Sequence, residues 1–192
     1  MSGVRPRVPA WQPPPVRPAV PWADDPAPRL SSHFQTVRQT AMAGLPFLNE
    51  ALEVAALPFH RVAGDWLGVV LTPWFLHVYL VPGGGDLWQD LGQGLRRRVA
   101  LPAGELEFIG EDDPQLGPLQ YCVLLAPVPQ FSAQAEAIQA AGEALETLLT
   151  PPPPAPAAAN ATTPLAESAE SAEAEIPDAR RRGFLRGFLG RL

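Results

Sequence analysis

The side chains that most often do chemistry in proteins are few and widely separated in this sequence. The three histidines, His33, His60 and His77, lie far apart, and none has a cysteine, an aspartate or a second histidine at the spacing of a metal site. The single cysteine, Cys122, lies in an apolar run, which favours a buried side chain over a nucleophile. We therefore predict no catalytic residue, no metal site and no cofactor.

Two further segments are of a type that binds ions in other proteins. Pro82-Gly83-Gly84-Gly85 is rich in glycine but lacks the spacing of a phosphate-binding loop, and we interpret it as a flexible loop. Glu111-Asp112-Asp113 carries enough carboxylates for a cation, but a solvated turn is the favoured interpretation. The sequence therefore favours a binding protein over an enzyme.

The charge of −6 is distributed unevenly along the chain, which has no lysine. Thirteen carboxylates and no basic residue lie between Val99 and Asp178, whereas five arginines crowd the last thirteen residues. An acidic surface repels phosphate, so we do not expect nucleic acid as a partner.

Proline content divides the chain into four parts. Of the 25 prolines, nine lie in residues 1–28 and six in residues 151–164. We predict a disordered Pro-rich arm over 1–28, one folded domain over 29–150, a disordered Ala/Pro/Glu linker over 151–178 and a basic amphipathic tail over 179–192. The chain opens without the apolar run of a secretion signal and has no uninterrupted apolar segment of membrane-spanning length, so we expect a cytoplasmic protein.

The apolar pattern predicts two helices separated by a series of strands. Leu30, Phe34 and Val37 recur at helical spacing, which predicts a first helix that is capped by Ser31 or Ser32 and ends near Gly44. A second helix is predicted over 132–149, with Ser132 as its cap. Strands are predicted over 52–60, 66–71, 75–81, 105–110 and 119–125, with a turn at 63–65 and a short helical or irregular segment around 87–91.

This order of elements predicts an α+β domain. Consecutive strands joined by short turns favour a mostly antiparallel sheet of about five strands. We expect the N-terminal and C-terminal helices to pack on one face of this sheet and disordered arms to flank the domain.

An aromatic block in the middle of the chain is the best candidate for a binding site. Proline fixes its own backbone angle and lacks a hydrogen-bond donor, so Pro73 predicts a rigid corner between two strands that aims Trp74. The aromatic side chains belong either to the core or to an apolar groove lined by Trp74 and Trp88 on an exposed side. We predict that partner binding involves Thr72, Pro73, Trp74, Phe75 and Trp88.

The pattern Gly-x-x-x-Thr-Pro-Trp-Phe-Leu over residues 68–76, with a downstream Pro-Gly and Leu-Trp, resembles the HybE/HupJ family of [NiFe]-hydrogenase assembly chaperones. The similarity covers roughly residues 30–150. This resemblance implies a small cytoplasmic protein without enzymatic activity. It would hold hydrogenase precursors, including the small subunit with its twin-arginine signal, until cofactor insertion is complete. The implied partner is the precursor of the small subunit, the large subunit or both.

The C-terminal tail carries a second short motif. Arg181-Arg182-Gly183-Phe184-Leu185-Arg186 resembles the twin-arginine export motif, which directs export only near an N-terminus. One interpretation is an ordinary basic tail, and another is an amphipathic segment on a membrane surface, weakened by three glycines. The third is a pseudo-substrate that occupies the groove for a precursor signal. The alternative function is an adaptor that docks through this tail on the membrane or on another maturation factor. The pseudo-substrate residues would be Arg181, Arg182, Phe184, Leu185 and Arg186.

Overall fold

A computed structural model describes residues 15–152, so the predictions for residues 1–14 and 153–192 lie outside the described part. The described chain forms two helices and one seven-stranded sheet. The helices are α1 (Ala27–Gln39) and α2 (Gln134–Leu149). The strands are β1 (Ala55–Ala56), β2 (His60–Val62), β3 (Asp65–Leu71), β4 (Leu76–Val81), β5 (Arg96–Leu101), β6 (Gly104–Asp113) and β7 (Gly117–Leu125).

The strands pair in the order β1-β3-β4-β7-β6-β5, with β2 also paired to β3, and every pair is antiparallel. The α+β class and the antiparallel sheet are therefore confirmed. The predicted number of strands, about five, was too low for two reasons. Two short strands, β1 and β2, replace the single strand predicted over 52–60, and β5 lies in residues 96–101, for which no strand was predicted.

The two helices lie on opposite faces of the sheet, so the prediction of one covered face is wrong. Helix α2 packs on a cluster that includes Leu67 and Val78, whereas α1 packs on a cluster that includes Val70 and Tyr79. Neighbouring residues of a strand point to opposite faces, so β3 and β4 supply side chains to both clusters. Strand β4 is buried along its whole length.

Both helices begin at residues other than the predicted caps. Helix α1 starts at Ala27, whose backbone N–H donates to Oδ1 of Asp25 at 2.9 Å, and it ends at Gln39 rather than near Gly44. Helix α2 starts at Gln134 without a side-chain cap. Ser132 instead donates its N–H and its hydroxyl to Oε2 of Glu136, both at 3.1 Å. Ser132 therefore donates hydrogen bonds at the start of α2, whereas a capping serine would accept one from a backbone N–H of the helix.

The segment before α1 is packed against the domain, which differs from the arm predicted over residues 1–28. The N–H of Trp22 donates to the carbonyl of Pro82 at 2.8 Å, and the Trp22 carbonyl accepts from the indole Nε1 of Trp66 at 2.9 Å. The Arg17 guanidinium forms an ion pair with Asp112 and donates to the carbonyl of Asp113 at 2.9 Å. Residues 15–26 thus cross one end of the sheet.

Within the described residues, neither helix has the length and apolar character needed to cross a membrane.

A candidate partner-binding surface

The Thr72–Phe75 segment is the corner between β3 and β4 that the proline predicted. Thr72 is fully buried, and its hydroxyl oxygen accepts the backbone N–H groups of Trp74 at 3.3 Å and Phe75 at 3.0 Å. The carbonyl of Pro73 accepts the N–H of Asn49 at 2.8 Å. A buried hydroxyl that accepts two backbone donors holds a turn in one conformation. Thr72 and Pro73 therefore position the two aromatic residues that follow.

A row of aromatic rings runs from helix α1 along this face of the sheet. The Phe34 ring of α1 meets Phe75 edge to face with centroids 5.3 Å apart, and Trp74 meets the same Phe75 ring at 5.6 Å. Phe75 stacks on His77 at 3.9 Å with 7° between the planes, and His77 stacks on Tyr121 at 5.0 Å with 10° between them. Stacked and edge-to-face contacts of this kind order the rings beyond simple burial.

Beyond Tyr121 the row reaches a part of the sheet that α1 leaves exposed. Helix α1 packs on β1 and β3, while Val123 on β7 keeps 36% of its surface exposed. Cross-strand partners share a face, and Ile109 of β6 lies opposite Tyr121. Glu107 and Glu111 flank Ile109 on the same face. We call the surface formed by Glu107, Ile109, Glu111, Tyr121 and Val123 the open face.

Three glutamates and two arginines surround the open face, and two of the glutamates pair with the arginines. Arg96 on β5 pairs with Glu107 at 2.7 Å, and Arg98 lies 3.9 Å from Glu105 at the outer edge. Glu111 is half-buried, and burial together with the nearby Asp113 raises the pKa of its carboxyl. Burial and Glu111 also raise the pKa of Tyr121. The open face therefore combines an apolar centre with carboxylates.

His77 is an aromatic spacer in this row rather than a ligand. It is 8% exposed, and neither ring nitrogen has a hydrogen-bond partner within the described residues. Burial lowers its pKa from 6.5 to about 3, so the imidazole is neutral near pH 7. In the described part of the chain no three His, Cys, Asp or Glu side chains form a group able to hold a metal ion. Cys122 is buried in the α2-side core.

Trp88 lies on the other face of the sheet, where it packs with Leu87 against the α2-side core. The loop that carries it, residues 82–95, is held by the fully buried Asp65. The Asp65 carboxylate accepts the N–H groups of Gly83 at 2.7 Å, Gly85 at 3.0 Å and Trp88 at 2.7 Å. Two backbone N–H groups of the glycine-rich segment 82–85 therefore donate to the carboxylate of Asp65.

The far side of the same loop is held by a second buried polar group. Gln120 on β7 is fully buried, and its Nε2 donates to the carbonyl of Gln89 at 2.7 Å. Its Oε1 accepts from Nε of Arg97 at 2.7 Å, and Arg97 also donates to the carbonyl of Leu87. Loop 82–95 is therefore a fixed cover for part of the α2-side core.

The structure brings Thr72, Pro73, Trp74 and Phe75 together at one corner, and it separates Trp88 from them by the thickness of the sheet. Trp74 and Trp88 do not line one groove. Sequence reasoning missed His77, Tyr121 and Val123, whose common feature is the pairing of β4 with β7. The tail residues Arg181, Arg182, Phe184, Leu185 and Arg186 lie outside the described residues.

An aromatic surface with charged residues at its rim, on a rigid sheet, is of the kind found at protein interfaces. Comparison with known proteins then gives the family of the chain. The family model described as "[NiFe]-hydrogenase assembly, chaperone, HybE" matches residues 25–187. The chain therefore belongs to the HybE family of [NiFe]-hydrogenase assembly chaperones, and the resemblance drawn from residues 68–76 is confirmed. Membership implies a role in hydrogenase maturation without enzymatic chemistry.

Relatives of similar length support this assignment. The hydrogenase expression/formation protein HupJ of Bradyrhizobium diazoefficiens is 32% identical over 174 residues, which cover 89% of this chain and 90% of HupJ. The protein HoxT of Cupriavidus necator is 34% identical over 176 residues, which cover 82% of this chain and 86% of HoxT. The solution structure of HybE from Escherichia coli has the same fold, with a TM-score of 0.57 and 22% identity over 78% of this chain and 94% of that one.

Proposed function

We propose that this chain binds the precursor of a [NiFe]-hydrogenase subunit through the open face and the adjoining Trp74–Phe75 corner. The observation that supports this most is the aromatic row, because it connects the core to an exposed surface of Tyr121 and Val123. Exposed apolar side chains beside a charged rim are typical of protein interfaces. Binding would take place in the cytoplasm, and the precursor would be released when its assembly is complete.

The twin-arginine signal of the small subunit fits the chemistry of this surface. Carboxylates bind arginines with charge-assisted, often bidentate hydrogen bonds, and Glu111 lies beside Tyr121. The apolar residues that follow the arginines would contact Tyr121 and Val123. The precursor of the small subunit is therefore the partner we propose first, ahead of the precursor of the large subunit.

The test is affinity capture of a hydrogenase precursor by the full chain and by two matched variants, from cells that assemble hydrogenase. Val123→Glu places a charge in the centre of the open face, and we expect the recovered precursor to fall at least about tenfold, since an unpaired charge in an interface costs more than 1.4 kcal/mol. The control is Ile138→Glu, because Ile138 is 41% exposed on α2 across the sheet. Circular dichroism should show both variants folded.

Equal recovery of the precursor by Val123→Glu and Ile138→Glu would refute the open face as the binding surface. Recovery of membrane vesicles in place of a hydrogenase subunit would favour the adaptor function over the chaperone function.

A further inference from the structure

We propose that the C-terminal segment of this chain, residues 180–192, docks on the open face of its own domain. Arg181 or Arg182 would pair with Glu111, and Phe184 and Leu185 would cover Tyr121 and Val123. The docked tail would exclude a partner from the surface, and this part of the proposal rests on the proposed function. Three properties of the described residues support it.

The first property is a half-buried carboxylate that forms no ion pair among the described residues, although His33 lies near enough to oppose the rise in its pKa. Glu111 is half-buried beside Tyr121, and no ion pair or hydrogen bond joins its carboxylate to another group within residues 15–152. The neighbouring acids are already engaged, since Asp112 pairs with Arg17 and Asp113 lies 3.3 Å from Nε2 of His33. A half-buried carboxylate gains most from a guanidinium, because burial has already removed part of its hydration.

The second property is the order of charged and apolar groups. On the face, Glu111 lies opposite Leu119, and Tyr121 and Val123 follow toward the C-terminal end of β7. In the tail, Arg181-Arg182 is followed after one residue by Phe184-Leu185. An extended segment that rises about 3.3 Å per residue would present its cationic and apolar parts at a matching separation.

The third property is the place where the described chain ends. Helix α2 stops at Leu149, and the carbonyl of Leu148 accepts the N–H of Ala103 at 3.3 Å, next to the β5–β6 turn. The described residues therefore end beside the edge strand β5, and only this strand separates that point from the open face. The 28 residues between Pro152 and Arg181 extend to at most roughly 100 Å, well beyond the width of the sheet.

The cavity between the N-terminal segment and the β6–β7 turn is a less suitable site for the tail. It has a volume of 660 Å³ and is lined mainly by prolines and by Trp22, Arg17 and Arg29. Its two arginines would repel the arginines Arg181 and Arg182 of the tail. The cavity lining also contains Asp24 and Asp25, so its positive and negative charges balance, and Oδ1 of Asp25 already accepts the N–H groups of Ala27 and Phe59. The open face offers Glu111 without an ion pair among the described residues, and it is therefore the site we propose.

The proposal is tested by paramagnetic broadening in the full-length protein, without any hydrogenase subunit. A nitroxide is attached to Gly187→Cys in a Cys122→Ala background. We expect the resonances of Ile109, Tyr121 and Val123 to broaden and that of Ile138 on α2 to stay sharp. Arg181→Glu combined with Arg182→Glu should abolish the broadening, while Arg191→Glu, outside the motif, should leave it. Uniform broadening, or none on the open face, would overturn the proposal.

Two further measurements are needed. The first distinguishes the tail of the same chain from the tail of a second copy, and the second distinguishes tail docking from partner binding at the open face. If mixing nitroxide-labelled chains with unlabelled, isotope-enriched chains reproduces the broadening, the tail of a second copy occupies the face and intramolecular docking is refuted. Deleting residues 179–192 should raise the apparent affinity for the precursor about tenfold, if the local tail concentration is about 1 mM and its intrinsic Kd about 0.1 mM. Broadening without any effect of the deletion on capture would leave the docked tail standing and would refute partner binding at this face.

Discussion

Replacing Asp65 with Asn should lower the free energy of unfolding by about 3 to 5 kcal/mol, the largest effect that we expect from a single substitution. Both carboxylate oxygens of Asp65 accept backbone donors of loop 82–95, and the side chain is fully buried. An amide in its place turns an NH₂ group toward an N–H donor and removes the negative charge near Arg97. The measurement is urea-induced unfolding followed by circular dichroism.

Asp86→Asn is the matched control, since Asp86 is an exposed aspartate in the same loop. It should leave the free energy of unfolding unchanged within error. A loss of stability in Asp65→Asn no larger than in this control would mean that the loop does not depend on the buried carboxylate. Hydrogen exchange of the Gly83, Gly85 and Trp88 amides should show whether the loop opens before the domain unfolds.

The second large effect concerns pH and the neutral His77. The unfolded chain binds a proton at His77 below pH 6.5, whereas the folded chain does so only below about pH 3. Between these values the unfolded state holds more protons, so stability falls as the pH falls. The free energy of unfolding should therefore be about 2 kcal/mol lower at pH 5 than at pH 7.5, since it falls by roughly 1.4 kcal/mol for each pH unit below 6.5.

His77→Phe should remove this part of the pH dependence. Phenylalanine keeps the stacked arrangement between Phe75 and Tyr121 and eliminates two buried nitrogens without partners, so the variant should be at least as stable as the wild type at pH 7.5. Tyr79 and Tyr121, which face His77, stay neutral over this range because burial raises the pKa of each. Unfolding curves recorded at pH 5 and 7.5 should differ less for His77→Phe; curves that shift by the same amount in both proteins would contradict the explanation.

The sequence predicted well those features that depend on neighbouring residues. Thr72-Pro73 makes a corner because of its own backbone restrictions, and the Ala63-Gly64 turn forms because both residues adopt positive φ, 46° and 89°. The existence of both helices followed from apolar spacing. Their ends did not, because the start of α1 depends on Asp25 and that of α2 on Glu136 reaching back to Ser132.

The candidate surface was only partly predictable, because it depends on which strands become neighbours. Alternation shows which residues of one strand share a face, but the stacking of His77 on Tyr121 requires the register of β4 against β7. Strand β5 was not predicted, because its three successive arginines find partners only across the sheet: Glu107 and Glu105 on β6 pair with Arg96 and Arg98, and Gln120 on β7 accepts from Arg97. The role of Asp65 was missed because its partners lie 18 to 23 residues away along the chain.

Loop 82–95 also bears on the order in which the chain assembles. The hydrogen bonds of the loop to Asp65 lie beside the β3–β4 hairpin. Its hydrogen bond to Gln120 can form only after β7 has paired with β4. Contacts between distant parts of a chain form late, because closing the larger loop costs more entropy. In stopped-flow kinetics Gln120→Leu should therefore speed unfolding and leave the folding rate near that of the wild type, whereas Asp65→Asn should also slow folding. The two ends of the loop would then become fixed at different stages, first with the β3–β4 hairpin and later with the pairing of β7.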